Sequence, residues 1–186
     1  KNHYYAHQSY KLIEGISGIK YIFELGGGYG NYAYFLNLNK NIKYLGCDLP
    51  ENLSLSYFYL SSLMPNKKIK LISNLKKHKL DFKNYDIILI SNYDIENLPE
   101  NLFDLSFNSY SLAEMHKEAI ENYIDHISRI SSKFIYHVNH TKYAVNSADN
   151  FPISKKKFIL QSKTESLWNK YTNKFSDEYE FIYKAI

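Results

Sequence analysis

The chain has 186 residues, 45% of them hydrophobic, which suits one domain with a proper core and leaves no segment that reads as an interdomain linker. Its net charge of +4 rests almost wholly on lysine, with Arg129 the lone arginine. Bidentate clamping of phosphate or guanine is arginine chemistry, so this composition argues against a dedicated nucleic-acid reader. Cys47 is the single cysteine, which excludes an intrachain disulfide and fits a reducing compartment. No signal peptide and no apolar run long enough to span a membrane is visible, so a cytoplasmic location is the default expectation. The chain opens on Lys1 and reads as an excised piece, so a targeting segment would lie outside it.

Residues 1–18 carry Tyr4, Tyr5, Tyr10, Leu12, Ile13 and Ile16 on helical spacing up to Gly15 and Gly18, a lead-in helix that packs on the core or covers a ligand. His3 and His7 lie four apart but have no acidic or thiol neighbour, so they read as surface histidines. Ile19 to Leu25 is a buried strand, and it runs into Gly26-Gly27-Gly28-Tyr29-Gly30. Four glycines within five positions are expected where the backbone turns with positive φ or where something must approach it closely. Glycines at 26, 28 and 30 give G-x-G-x-G, whereas the dinucleotide fingerprint needs its third glycine at 31, where this chain has Asn31. The spacing therefore steers away from NAD.

Tyr32, Phe35 and Leu36 form the apolar stripe of the next helix. Ile42 to Cys47 is a second strand, stopping at Asp48-Leu49-Pro50, and Pro50 opens a helix to about Met64 with Leu53, Leu60, Leu63 and Met64 inward. Strand, glycine turn, helix, strand, acid, helix is the first half of a doubly wound sheet, in which ligands bind outside the carboxyl ends of the strands. Asp48 is placed to accept hydrogen bonds from both ribose hydroxyls of an adenosine-containing cofactor, or to cap the helix behind it. Lys68 to Ser73 and Tyr85 to Ser91 are both strand-like, and the longer, more β-branched Tyr85–Ile90 run is the expected third core strand. Asn92, Tyr93 and Asp94 then stand at its carboxyl end, in position to meet an adenine ring, with a turn-capping role for Asp94 as the alternative.

Leu102 to Phe107 is a fourth strand, and Ile120, Tyr123, Ile124, Ile127 and Ile130 mark an amphipathic helix. Phe134 to Val138 is a fifth strand, after which Lys157–Gln161 and Glu180–Lys184 are expected to close the sheet as an antiparallel hairpin, with Leu167-Trp168 between them. His137 and His140 are three apart on extended chain and so face opposite ways, which speaks against a shared metal. The predicted architecture is α/β, a Rossmann-like doubly wound, mostly parallel sheet with an antiparallel C-terminal hairpin.

Glu24-x-Gly26-x-Gly28-x-Gly30 with Asp48 resembles the class I S-adenosylmethionine (SAM)-dependent methyltransferases over residues 19–186. Phe23–Gly30, Asp48-Leu49-Pro50, Asn108–Met115 and Tyr136-His137-Val138-Asn139 together resemble the sugar O-methyltransferase family of bacterial surface-polysaccharide clusters. Against that family the chain is short at the amino end, where part of an acceptor lid is expected. For the class, the resemblance implies that Gly26 to Gly30, Tyr29 included, wrap the methionine part of SAM. It implies further that Glu24 holds its amino group, Asp48 binds the ribose, Leu49 borders the adenosine, and Asn108 and Ser109 lie beside the sulfonium. The product would be S-adenosylhomocysteine (SAH). Transfer to a weakly acidic hydroxyl calls for a base, and Glu114, His116 and His140 are the candidates, with helix capping or helix surface the alternatives for the first two. A magnesium ion that orients two sugar hydroxyls would find only Glu114 with the neutral Asn108 and Asn139, so no metal is assigned. A small phosphorylated metabolite as acceptor, an NAD-dependent oxidoreductase and a non-catalytic binding module are the competing readings. Nothing in the sequence sets the oligomeric state.

Overall fold

The computed structural model describes residues 1–142, 144–167 and 177–186. One eight-stranded sheet carries the fold, in the order β3-β4-β2-β1-β5-β6-β8-β7. Its strands are β1 (Lys20–Leu25), β2 (Ile42–Asp48), β3 (Ile69–Ile72), β4 (Ile87–Ser91), β5 (Phe103–Ser109), β6 (Ser131–His140), β7 (Phe158–Glu165) and β8 (Glu178–Ala185). The first six are parallel, and β8 pairs antiparallel with both β6 and β7. Both strand-like runs of the middle region are therefore strands. Tyr85–Ile90 supplies β4 inside the sheet, and the shorter, half-exposed run supplies the edge strand β3. The expected hairpin is present, and Trp168 lies outside the described residues.

Alternation along the strands feeds two cores. Ile22, Tyr44, Leu89, Phe107 and Tyr136 pack under α1 (Asn2–Ile13), α2 (Asn31–Leu36) and α3 (Pro50–Leu63). Phe23, Leu45, Cys47, Ile90 and Ile135 pack on the opposite face under α4 (Lys117–Ile130), which presents Ile120, Ile124, Ile127 and Ile130. Each of those fully buried isoleucines contributes about 1.5–3 kcal/mol relative to exposure. Tyr32 lies flat on Phe107 at a centroid distance of 4.1 Å and fixes α2 against the sheet.

Two details depart from the sequence reading. Leu63 is exposed, because α3 turns Leu53, Ser56 and Leu60 inward instead. β5 and β6 run further than expected, so that Asn108, Ser109, Asn139 and His140 are the last strand residues rather than loop. The lone arginine has a local structural use: Arg129 donates to the carbonyls of Leu98 (2.5 Å), Ile95 (3.2 Å) and Glu96 (3.2 Å), tying α4 to the turn that follows β4.

Candidate functional site

The chain leaves β1 to one side for β2 and later returns to the other side for β5, so the switch point of the sheet is the crevice between β1 and β5 at their carboxyl ends. The glycine turn fills that crevice, and its glycines have different uses. Gly26, Gly28 and Gly30 all have positive φ (73°, 57° and 99°), a backbone that side chains disfavour. A Cβ on Gly26 would come within 2.9 Å of Ser111 Cβ, and one on Gly30 would press on Leu60 at 3.1 Å. Gly30 is thus the N-cap of α2 packed against α3, and it borders neither large cavity. A Cβ on Gly28 would meet no atom of the described residues within 4 Å.

Two carboxylates flank the turn. Asp48 accepts from the backbone N–H of Gly28 (2.7 Å) and of Leu49 (2.7 Å) and from Asn52 Nδ2 (2.9 Å), so the group that leads into α3 also locks the turn. Glu24 is buried beneath the turn, where Tyr44 donates its hydroxyl to Glu24 Oε2. Burial pushes the Glu24 carboxyl up to about 8, with the charge of Asp48 acting the same way and the Tyr44 hydrogen bond opposing both.

A cavity of about 540 Å³ opens on one side of the turn, walled by Asp48, Leu49 and Asn52 from β2–α3, by Asn92 after β4, and by Glu114, His116 and Tyr123 around the start of α4. A second, of about 320 Å³, lies on the other side against Glu24, Tyr29, Asn31, Ser109, Tyr110 and the first residues of the chain. Gly26 and Gly28 border both. The two cavities thus flank the turn and share Gly26 and Gly28 as a common wall.

Of the residues singled out in the sequence, Glu24, Gly26, Gly28, Tyr29, Asp48, Leu49, Asn92, Ser109, Glu114 and His116 line this space. Glu114 and His116 do so at the Asp48 end, away from Glu24. Tyr93, Gly30, Asn108, His140 and Asp94 do not line it. Tyr93 points to solvent and is 75% exposed, and Gly30 packs as described. Asn108 is buried, donating to Leu25 O (2.9 Å) and Ser111 Oγ (2.6 Å) and accepting from Asn139 Nδ2 (2.9 Å). It therefore lashes β5 to β1 and β6 rather than facing the cavities. His140 lies outside both cavities, its Nδ1 paired with Asp177 at 2.8 Å. Asp94 is buried and accepts from Leu75 N at 3.1 Å. Among the described residues no group of three or more His, Cys, Asp or Glu side chains is arranged to hold a metal.

Sequence reasoning missed Tyr110, Tyr5 and Glu178. Tyr110 lines the smaller cavity, and its hydroxyl and that of Tyr5 both bond Glu178 at the start of β8. The partners lie 68 and 173 residues apart, and no local signal joins them.

No protein-family profile and no curated protein matches the sequence. Solved structures do. The magnesium protoporphyrin IX methyltransferase of Synechocystis PCC 6803 with bound SAH superimposes with a TM-score of 0.69 at 10% identity, over 98% of this chain and 82% of that one. The PH0226 protein of Pyrococcus horikoshii OT3 gives 0.65 at 9% identity, over 97% and 91%. The CurJ carbon methyltransferase gives 0.62 at 10% identity, over 99% and 54%. At such identities the likeness carries the fold and leaves the acceptor open. The chain has the Rossmann-like fold of the class I SAM-dependent methyltransferases.

Proposed function

We propose that the protein is a SAM-dependent O-methyltransferase acting on a hydroxyl of a sugar or sugar-derived group. The observation that carries the reading is the pair of cavities that share Gly26 and Gly28, with Asp48 lining one and Glu24 the other. The adenosine would lie in the larger cavity, with Asp48 toward the ribose and Leu49 and Asn92 toward the base. The methionine part would cross Gly26 and Gly28 into the smaller cavity, its ammonium toward Glu24. SAM brings an activated methyl group on a sulfonium, so the chain's share of the chemistry is alignment and proton handling. Alignment of acceptor oxygen, methyl carbon and sulfur is worth up to about 7–11 kcal/mol of the barrier.

The mouth of the smaller cavity supports a saccharide acceptor. Tyr29, 53% exposed, stands edge-on to Tyr59 at 5.3 Å. Asn31 is held between them, donating to the Tyr29 hydroxyl and accepting from that of Tyr59, both at 2.7 Å. A rigid aromatic surface beside a fixed amide suits a ring with one apolar face and a rim of hydroxyls. The resemblance to the sugar O-methyltransferases of surface-polysaccharide clusters adds the biosynthetic setting.

Thermal unfolding with SAH or NAD tests the cofactor reading. At a hundredfold excess over Kd, SAH adds about 2.7 kcal/mol. For a domain of this size that raises Tm by about 5–11 °C. A rise with NAD and none with SAH would refute it. Labelled SAM with a panel of nucleotide sugars and polysaccharide fragments then tests the acceptor.

A further inference from the structure

Tyr110 has φ 67°, a left-handed backbone that a bulky residue keeps only where its surroundings hold it, and such outliers gather at working sites. Here the N–H of Tyr110 donates to Val138 O at 2.8 Å, and the side chain is gripped from β8 and α1. Its hydroxyl donates to Glu178 Oε1, and the Tyr5 hydroxyl donates to the same oxygen at 2.8 Å. The two phenol oxygens are 3.0 Å apart, and Ser166 Oγ lies 3.2 Å from that of Tyr5. Each phenol has a single proton, and a carboxylate oxygen, which can only accept, is the strongest acceptor within reach of both. The Tyr110 oxygen therefore keeps acceptor capacity that Tyr5 does not use. Lys1 Nζ sits 3.5 Å from the centroid of the Tyr110 ring and 4.0 Å from Glu178 Oε2, so positive charge backs the pair.

We propose, resting on the methyltransferase reading, that Tyr110 is the catalytic residue that receives the acceptor's proton and that Glu178 is the positioning residue and proton sink behind it. As the acceptor oxygen bonds to the methyl carbon, the bond from that carbon to sulfur breaks and its electron pair stays on sulfur. The hydroxyl proton passes to Tyr110 Oη while the proton of Tyr110 passes to Glu178 Oε1. One positive and one negative charge disappear together, and the phenol ends as it began. Burial first, then the bond to Glu178, holds the Tyr110 hydroxyl well above the usual phenol range, so it relays a proton already in place and does not wait as a phenolate. Among the three base candidates read from the sequence, none lines the smaller cavity where Tyr110 stands. His140 is the nearest rival, its ring centroid 5.6 Å from that of Tyr110.

The test compares wild type with Tyr110→Phe, Glu178→Gln, Glu178→Asp and His140→Gln. Methyl transfer from labelled SAM to a panel of uridine-diphosphate sugars and methyl glycosides is followed against pH, with SAH affinity measured by calorimetry. The expected result for Tyr110→Phe and Glu178→Gln is a kcat about 10²–10⁴-fold lower with the Kd for SAH unchanged, the typical range for a lost acid–base group. Glu178→Asp is expected to recover part of the loss, which a merely structural carboxylate would not do while SAH binding stays constant. Tyr110→Phe within tenfold of wild type, or a loss confined to His140→Gln, overturns the relay. So does a wild type that binds SAH and methylates no member of the panel. Failure of the wild type to bind SAH overturns the cofactor reading instead.

Discussion

Replacing Gly28 with alanine isolates the space that the glycine turn leaves open. The backbone there has φ 57°, and an L side chain in that region costs about 1–2 kcal/mol. No steric term is added, since no atom of the described residues lies within 4 Å of the new Cβ, and the Gly28 N–H can keep its 2.7 Å bond to Asp48. Tm should fall by only about 2–8 °C. Gly28 borders both cavities, however, so SAH affinity should fall at least about tenfold, about 1.4 kcal/mol. Gly26→Ala is the control. Its φ of 73° carries the same backbone cost, and the Cβ falls 2.9 Å from Ser111 Cβ, an overpacking worth about 1–3 kcal/mol more. The control should therefore lose about 2–5 kcal/mol, or about 4–20 °C. Scanning calorimetry gives the stabilities and titration calorimetry the affinities. A Gly28→Ala protein that binds SAH like wild type would refute the assignment of this space to the cofactor.

Three further outcomes follow from the same geometry. Glu24 is raised from its ordinary 4.5 to about 8, so the unfolded chain releases this proton first as pH rises. Its contribution to stability is complete below pH 4.5 and lost by about pH 8, and Glu24→Gln should show a flatter Tm across that window. Burial lowers His137 from 6.5 to about 3, and its Nε2 has no hydrogen-bond partner among the described residues. That group's contribution is complete above pH 6.5 and lost as pH falls toward 3, so His137→Phe, which keeps the stack on Phe181, should gain on wild type in acid melts. Asp48→Ala should abolish SAH-induced stabilisation in thermal melts, and a full shift in the variant would count against the ribose assignment.

The parts of the fold that the sequence made legible are those written in local chemistry. Strand β1, the glycines, Asp48 at the end of β2, Pro50 opening α3 and the isoleucine stripe of α4 each signal through neighbours or a short period, and all lie where that reading put them. Boundaries set by a partner strand were not legible. β6 extends to His140 because β8 pairs with it as far as Glu178, and β3 is a strand because β4 offers it an edge.

The same division runs through the candidate site. The Asp48 end is built from residues 25–52 and 92–123, whose spacing follows the order of the crossovers, so their types could be interpreted one after another. The Glu24 end is closed by contributions from opposite ends of the chain, with Tyr5 and Glu178 converging on Tyr110. A phenol at 110 or a carboxylate at 178 says nothing by itself; only β8 folding back against β6 turns the two into a couple. Spacing pointed to three residues as bases because each follows a core strand. Packing sets Glu114 and His116 in the cavity with Asp48 and pairs His140 with Asp177. Which end of the site a residue reaches is decided by the side of the glycine turn on which it stands, a property of the sheet's switch point rather than of any motif.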